Sequence, residues 1–127
     1  MPNTSTDQSL FAAVDAYFET MFDADLARFD RLFAPTATLH GVRDGALRVL
    51  TVAQYRGLLA ATPSPKSKSA PRQQEILLVD FASPEQALVK VRVRIDQLLY
   101  LDYLCFHHVG GTWRLTAKSF HVERRFA

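Results

Sequence analysis

The sequence is nearly free of cysteine, because Cys105 is the only one among 127 residues. A single thiol excludes an internal disulfide framework and a zinc site built from cysteines. No apolar run approaches the ~20 residues that a membrane span needs. The N-terminal segment MPNTSTDQ also lacks the basic and apolar regions of a signal peptide. We therefore expect a cytoplasmic protein with no membrane partner.

An excess of charge of one sign is also missing. The chain has 15 Lys and Arg against 13 Asp and Glu, which leaves a formal net charge of +2. So small an excess, spread along the chain, argues against a nucleic-acid partner. Glycine-rich phosphate loops, nucleophile elbows and His-Glu-x-x-His patterns are absent from the sequence. We expect one domain over residues 1–127 that uses no cofactor.

The sequence is rich in β-favouring residues near its C-terminus. Two long runs of this kind, within 99–123, flank the pair Gly110-Gly111. A Gly-Gly pair between two such runs predicts a two-residue hairpin turn, because both turn positions need a positive φ. The rest of the chain is expected to pack around this hairpin.

Taking Gly110-Gly111 as the turn fixes the strand register; a turn one residue longer would flip the parity and could place Tyr103, Cys105 and Lys118 on the inward face. Counting back from Gly110-Gly111, Asp102 lies opposite Ser119 and Tyr100 lies opposite His121. Side chains alternate between faces, so these four residues share one face of the hairpin. Lys118 then falls on the other face, where we expect a surface ion pair or an interface contact.

The remaining pattern places helices first and strands later. Apolar residues spaced by three and four predict a first helix after a flexible tail at 1–6. A second helix capped by Asp25 ends at Pro35, and a third begins at Thr51.

Residues 62–72 hold three of the six prolines and predict an exposed, mobile loop. This order is typical of an α+β fold, with the helices on the concave face of a curved sheet. The predicted strands span 36–40, 47–50, 73–81, 87–96 and the two arms of the hairpin.

Several short motifs, in the same order over nearly the whole chain, carry a resemblance to a known family. They are Tyr17-Phe18, Leu32-Phe33-Ala34-Pro35 followed by Ala37-x-Leu39, Asp102-Tyr103-Leu104, Gly111-x-Trp113-Arg114-Leu115 and Lys118-x-Phe120. With them the chain resembles the nuclear transport factor 2-like superfamily and, within it, the SnoaL-like, "putative lumazine-binding" group. The resemblance implies a cone-shaped, cystatin-like α+β domain with a mixed or antiparallel sheet, a pocket and a dimer contact on the outer sheet face. It leaves function open, because the superfamily includes isomerases, dehydratases, cyclases and proteins that only bind.

Our first hypothesis is a binding protein without catalysis. An apolar pocket between helices and sheet, with a few polar groups, is the usual form of a small-molecule site. The ligand is a small organic molecule, lumazine-like only by the family's name. The residues expected to line the pocket are Tyr17, Met21, Phe33, Tyr55, Val93, Leu104, Phe106 and Ser119.

The alternative is a cofactor-independent lyase, isomerase, dehydratase or polyketide cyclase-like enzyme. In that case Asp102 or His40 is the general base, and Tyr100 or His121 is the donor to a developing oxyanion. An Asp base works with acidic donors in the superfamily's isomerases. A purely structural role for Asp102, bonded to its neighbours in the sheet, is a competing interpretation. We expect no metal at His40, Asp102 and His121, because nothing in their spacing requires one.

The outer face of the hairpin is rich in large apolar residues and predicts a homodimer. An exposed patch of that size is unusual for a monomer. A second alternative is that this face serves as a protein-interaction module. The residues expected in the dimer interface are Leu99, Leu101, Tyr103, Cys105, Phe120 and Val122.

Overall fold

The computed structural model describes residues 4–126, with side chains from residue 6 onward. Three helices and six strands make up this part of the chain, and one 3-10 turn follows the third helix. The predicted tail at 1–6 is shorter than expected, because the first helix already includes residue 4; residues 1–3 lie outside the described part. The elements are α1 (Thr4–Asp23), α2 (Leu26–Leu32), β1 (Phe33–Arg43), β2 (Ala46–Thr51), α3 (Val52–Ala61), the 3-10 turn (Lys66–Lys68), β3 (Gln74–Ser83), β4 (Gln86–Ile95), β5 (Leu98–Val109) and β6 (Thr112–Arg125).

The two short helices begin at the capping residues that the sequence indicates. The Asp25 carboxylate accepts a hydrogen bond from the backbone N–H of Arg28 at 3.0 Å, which starts α2. Thr51 and Gln54 form a reciprocal capping box at the start of α3, with distances of 3.1 and 2.9 Å. Each cap satisfies backbone N–H groups that have no partner within the helix. Both predicted helix starts are confirmed.

The strands form a single six-stranded mixed sheet, in the order β2-β1-β6-β5-β4-β3. The β1–β6 pair is parallel, and the other four pairs are antiparallel. The sheet is not closed, and the helices cover one of its faces, which we call the inner face. Val89, Leu104 and Leu115 point from the inner face into the same apolar core as Leu10 and Val14 of α1. The predicted α+β class, with helices in the first half of the chain packed on a mixed sheet, is confirmed.

A β-bulge in β6 changes the predicted register of the hairpin. Next to the Gly110-Gly111 turn the pairing is as expected, with Phe106 opposite Leu115. Cys105, however, lies opposite Ala117, so Thr116 is an extra residue in β6. The Thr116 hydroxyl donates to the Cys105 carbonyl at 3.2 Å and contacts the His107 ring at 2.6 Å.

The bulge reverses the faces of the residues that follow it in β6. Lys118 pairs with Leu104 and Phe120 pairs with Asp102, so both point to the inner face. Ser119 pairs with Tyr103 and points outward. The predicted pairs Asp102–Ser119 and Tyr100–His121 are therefore wrong, as is the outward orientation of Lys118.

The segment 62–72 is more structured than its composition indicates. It contains the 3-10 turn, and Pro65 is buried. The Lys68 ammonium forms an ion pair with Asp96 at 2.6 Å, and Arg72 forms one with Glu19 at 2.5 Å. These contacts connect the segment to the β4–β5 turn and to α1, while its mobility remains a prediction. No helix within residues 4–126 is both long enough and apolar enough to cross a membrane.

The inward orientation of Phe120 can be tested at Gly41, which lies beside it in β1. A Cβ atom at Gly41 would overlap the Phe120 ring. We expect Gly41→Ala to lower the free energy of unfolding by ~1–3 kcal/mol, the usual cost of overpacking. The added substitution Phe120→Ala should recover part of this loss, measured by urea unfolding.

Gly57→Ala is the matched control, because a Cβ at this exposed helical position meets no atom within 4 Å. It should raise stability by up to about 1 kcal/mol through helix propensity. A Gly41→Ala variant as stable as the wild type would contradict the inward orientation of Phe120.

Candidate functional site

The main cavity lies between α3, the segment after it and the inner face of the sheet. It is found at the end of the sheet remote from the Gly110-Gly111 turn, beside the β1–β2 and β4–β5 turns. Its volume is about 220 Å³, which is below the ~300–1,000 Å³ typical of drug-sized ligands. The cavity therefore suits a molecule with a compact body.

The lining combines apolar side chains, several of them leucines, with polar side chains that come from most of the surrounding elements. Leu58 and Leu59 of α3 and Leu50 of β2 belong to the apolar part of the lining. The polar groups are two tyrosines, four basic residues and one acidic residue, together with small hydroxyls of the segment after α3. The full lining is Met21, Ala24, Leu39, Arg43, Arg48, Leu50, Tyr55, Leu58, Leu59, Thr62, Pro63, Ser64, Pro65, Lys68, Ile95, Asp96, Tyr100, Lys118 and Phe120.

A buried ionic cluster lies at the inner end of the cavity. The Lys118 ammonium is 3.7 Å from Asp102 Oδ2, and the two side chains are only 4% and 0% exposed. Tyr17 of α1 donates its hydroxyl to the same Oδ2 at 2.5 Å. Asp102 Oδ1 has no hydrogen-bond partner within the described residues. One carboxylate oxygen thus anchors both α1 and β6 to β5.

The two charged groups of this cluster have shifted pKa values. Burial raises the pKa of Asp102, although Lys118 and the Tyr17 hydroxyl partly oppose the shift. Burial acts to lower the pKa of Lys118, but its contacts with the Tyr55 hydroxyl and the Asp102 carboxylate outweigh this effect and raise it. Lys118 is therefore a cation at neutral pH.

Lys118 connects the buried cluster to the cavity. It lines the cavity, while Asp102 and Tyr17 lie behind it. Its ammonium donates to the Tyr55 hydroxyl at 3.2 Å and lies 4.8 Å from the centre of the Tyr55 ring. The Tyr55 hydroxyl in turn donates to the Met21 sulfur at 3.1 Å. A ligand in the cavity would meet Lys118 and Tyr55 directly, and Asp102 only through Lys118.

Two arginines flank the β1–β2 turn and line the same cavity. Arg43 pairs with Ala46, and Arg48 pairs with Gly41, so both arginines point to the inner face. Arg43 Nη2 donates to the Tyr100 hydroxyl at 3.0 Å, while its buried Nε has no hydrogen-bond partner in the described chain. No carboxylate of residues 6–126 forms an ion pair with either arginine. These guanidinium groups are the uncompensated charges of the cavity.

Among the residues predicted to line a pocket, the structure separates cavity from core. Met21, Tyr55 and Tyr100 line the cavity. The other predicted aromatic and aliphatic lining residues are packed in the core and are at most 3% exposed, so the apolar space predicted around them is filled by side chains. The residues of this filled core are Tyr17, Phe33, Val93, Leu104 and Phe106.

Four predicted polar site residues do not line the cavity. Ser119 and His121 are exposed on the outer face, because the bulge at Thr116 reverses their orientation. His40 pairs with Ser119 across the β1–β6 ladder and is also exposed on that face. Asp102 is on the inner face as predicted, but it is sealed behind Lys118. The predicted grouping of Asp102 with the two histidines is therefore wrong.

Sequence reasoning missed Lys118, Arg43 and Arg48 as cavity residues. A regular two-residue turn at Asp44-Gly45 places both arginines on one face, so the sequence pattern could have predicted their position. The inward position of Lys118 could not be predicted, because no glycine or proline marks the bulge at Thr116 in the sequence. No group of three or more His, Cys, Asp and Glu side chains in residues 6–126 is arranged to hold a metal ion.

Comparison with protein families gives one match, which spans most of the chain. Residues 5–121 match a family model described as "Putative lumazine-binding". No curated protein matches the sequence. The family assignment therefore rests on the match to this model.

Solved structures with the same fold are distant in sequence. An NTF-2 like protein of unknown function from Silicibacter pomeroyi DSS-3 is 19% identical, with a TM-score of 0.81 over 97% of this chain and 100% of that chain. One from Shewanella baltica OS155 is also 19% identical, with a TM-score of 0.82 over 98% of both chains. A ketosteroid isomerase-like protein from Erwinia carotovora atroseptica SCRI1043 is 14% identical, with a TM-score of 0.71 over 92% and 95%. At these identities the likeness shows the fold alone.

Removal of Lys118 should expose the cost of burying Asp102. We expect Lys118→Met to lower the free energy of unfolding at neutral pH by ~3–5 kcal/mol, because it leaves a buried carboxylate without a countercharge. The double variant Asp102→Asn/Lys118→Met should be more stable than Lys118→Met alone. Urea unfolding of the three proteins measures both differences.

The stability lost in Lys118→Met should also depend on pH. With Lys118 absent, the native state holds a proton on Asp102 more tightly than the unfolded chain, so its stability falls as pH rises above the ordinary Asp value of 3.8. The deficit relative to wild type should therefore shrink in acid. A deficit that is constant between pH 4 and 8 would show that Asp102 is not the group left uncompensated.

Proposed function

The chain belongs to the family described as "Putative lumazine-binding", and from this premise we propose that it binds a small organic molecule in the cavity between α3 and the sheet. The observation that carries the proposal is the cavity lining. Leucines of α3 and β2 line the same space as a few polar groups from α3, β1, β2, β5 and β6. This combination of an apolar wall and a small number of fixed polar groups is typical of ligand sites.

The polar groups of the cavity are held in place before any ligand arrives. Tyr55 is fixed between Lys118 and Met21, and Tyr100 is fixed by Arg43. Preorganised groups lose little conformational freedom on binding, which favours affinity. The family's description names lumazine, and lumazine is accordingly one of the compounds to be tried.

Binding without catalysis fits this geometry better than the enzymatic alternative. A general base must come within hydrogen-bond reach of the proton that it removes. Asp102 is sealed behind Lys118, and His40 is exposed on the opposite face of the sheet. Lys118, the basic residue at the inner end, is kept protonated because its surroundings raise its pKa. The candidate base of an isomerase-like mechanism is thus separated from the cavity.

We further propose that the protein is a homodimer through the outer face of the sheet. Leu47 and Val49 of β2 are 65% and 52% exposed there, and Leu78 of β3 is 50% exposed. Tyr103 lies near the middle of this face and is 39% exposed. Apolar groups spread over one sheet face favour association. Of the residues predicted for the interface, Leu101, Tyr103 and Cys105 lie on this face; Leu99 also does but is buried, and Phe120 and Val122 point to the inner face.

Ligand binding is tested with Nile red, a neutral apolar dye whose emission rises in apolar surroundings. We expect saturable binding at one site per chain. Leu59→Arg should weaken it about tenfold or more, because a charged side chain would occupy the apolar wall. Fluorescence titration measures the dissociation constant.

Phe11→Arg is the matched control, because it places the same charge at an exposed position of α1 that belongs neither to the cavity lining nor to the outer face of the sheet. It should leave the affinity for Nile red within about twofold. Absence of saturable binding, or equal loss in both variants, would contradict binding in the cavity.

The dimer is tested by placing a charge at the centre of the outer face. The wild type should have twice the chain mass of 14.3 kDa in light scattering, and Tyr103→Glu should give the monomer mass, because burial of an unpaired carboxylate opposes association. Phe11→Glu, on an exposed position of α1, should leave the dimer intact. A wild-type protein that stays monomeric well above micromolar concentration would refute the proposal.

A further inference from the structure

We propose that the ligand of this cavity is a carboxylate with a compact apolar body, its anionic group bound by Arg43 and Arg48. This ligand class rests on the proposed binding function and makes it specific. It follows from the charges that line the cavity, from the donors left without partners and from the size of the apolar part.

The charges of the cavity do not cancel. Lys68 is paired with Asp96 at 2.6 Å, and Lys118 is paired with Asp102 at 3.7 Å. Arg43 and Arg48 have no acidic partner in residues 6–126, which leaves two positive charges in one concave site. The whole chain has a net charge of only +2, so this is a local concentration of charge. Clefts lined by one sign of charge attract ligands of the opposite sign.

The donors of this end of the cavity are arranged to meet an acceptor. Arg43 Nη2 is committed to the Tyr100 hydroxyl, but its buried Nε has no partner among the described residues. The Tyr100 hydroxyl accepts from Arg43 and keeps its own proton for donation. Nε is inaccessible from the cavity, so a carboxylate would meet Arg43 through Nη1, which forms no hydrogen bond within the described residues. Guanidinium groups match carboxylates through charge-assisted hydrogen bonds.

The apolar wall indicates what must be attached to the anionic group. Leu50, Leu58, Leu59 and Phe120 face the same space as the arginines. Leu58 is 50% exposed, so a ligand would cover apolar surface that is now open to solvent. A volume of about 220 Å³ accommodates one or two fused rings or a branched chain.

A carboxylate fits the site better than a phosphate. A phosphate dianion has a higher cost of removal from water, and much of this cavity is apolar. One carboxylate can bridge two guanidinium groups through its two oxygens. We therefore assign the ligand to the monocarboxylates, and a phosphate becomes a comparison compound.

The test compares 1-naphthaleneacetate with 1-naphthaleneacetamide, which have the same shape and differ in charge. We expect the carboxylate to bind about tenfold or more tightly than the amide, as measured by calorimetry at neutral pH. The double variant Arg43→Gln/Arg48→Gln should remove this preference while leaving the affinity for the amide within about twofold. Arg48→Gln alone, at an exposed position, should reduce the preference without affecting folding.

Arg31→Gln is the control for general electrostatic attraction, because it removes an exposed positive charge on α2 that is not part of the lining. It should leave the carboxylate preference unchanged. Equal affinities of carboxylate and amide in the wild type would overturn the anion assignment while Nile red still binds. Tighter binding of 1-naphthyl phosphate than of the carboxylate would overturn the choice of carboxylate. Failure of Nile red and of every naphthalene compound would instead contradict the proposed function.

Discussion

The extra residue Thr116 in β6 is the constraint on which the site depends. Because Thr116 has no partner in β5, every side chain from Lys118 to Val122 points to the face opposite to that of a regular ladder. A long cation is thereby placed in the interior, next to the carboxylate of Asp102. Phe120 is placed over Gly41, where only the absence of a Cβ leaves room for its ring. The bulge thus forms the inner end of the cavity and one of its walls.

The buried cluster that results is held together by few polar contacts. Tyr17 and Lys118 both approach Asp102 Oδ2, so α1, β5 and β6 meet at one oxygen atom. In an ion pair without access to water, desolvation offsets much of the attraction, so the pair adds little net stability. Its position behind Lys118 is consistent with a role in fixing the orientation of the lysine. The ligand would then meet an ammonium group of defined position, with Tyr55 beside it.

Much of the fold could be predicted from the sequence, because local signals agree with the final structure. The caps at Asp25 and Thr51 and the turn at Gly110-Gly111 lie where the pattern indicates. The residues of the candidate site were harder to predict from the sequence. A two-residue period fails after a single bulge, and residues such as Lys118 and His121 then exchange faces. The sequence also does not show how much space the inward side chains leave. Tyr17 and Phe106 point inward as expected, but they fill the space between helices and sheet rather than lining a cavity.

The most direct test of the carboxylate site is a crystal structure of the protein with 4-bromophenylacetate, located by the anomalous scattering of bromine. We expect a bromine peak against Leu58 and Leu59, with the carboxylate of the ligand within hydrogen-bond distance of Arg43 and Arg48. A ligand bound on the outer face of the sheet would contradict the proposed site. So would a ligand in the cavity whose carboxylate points away from both arginines.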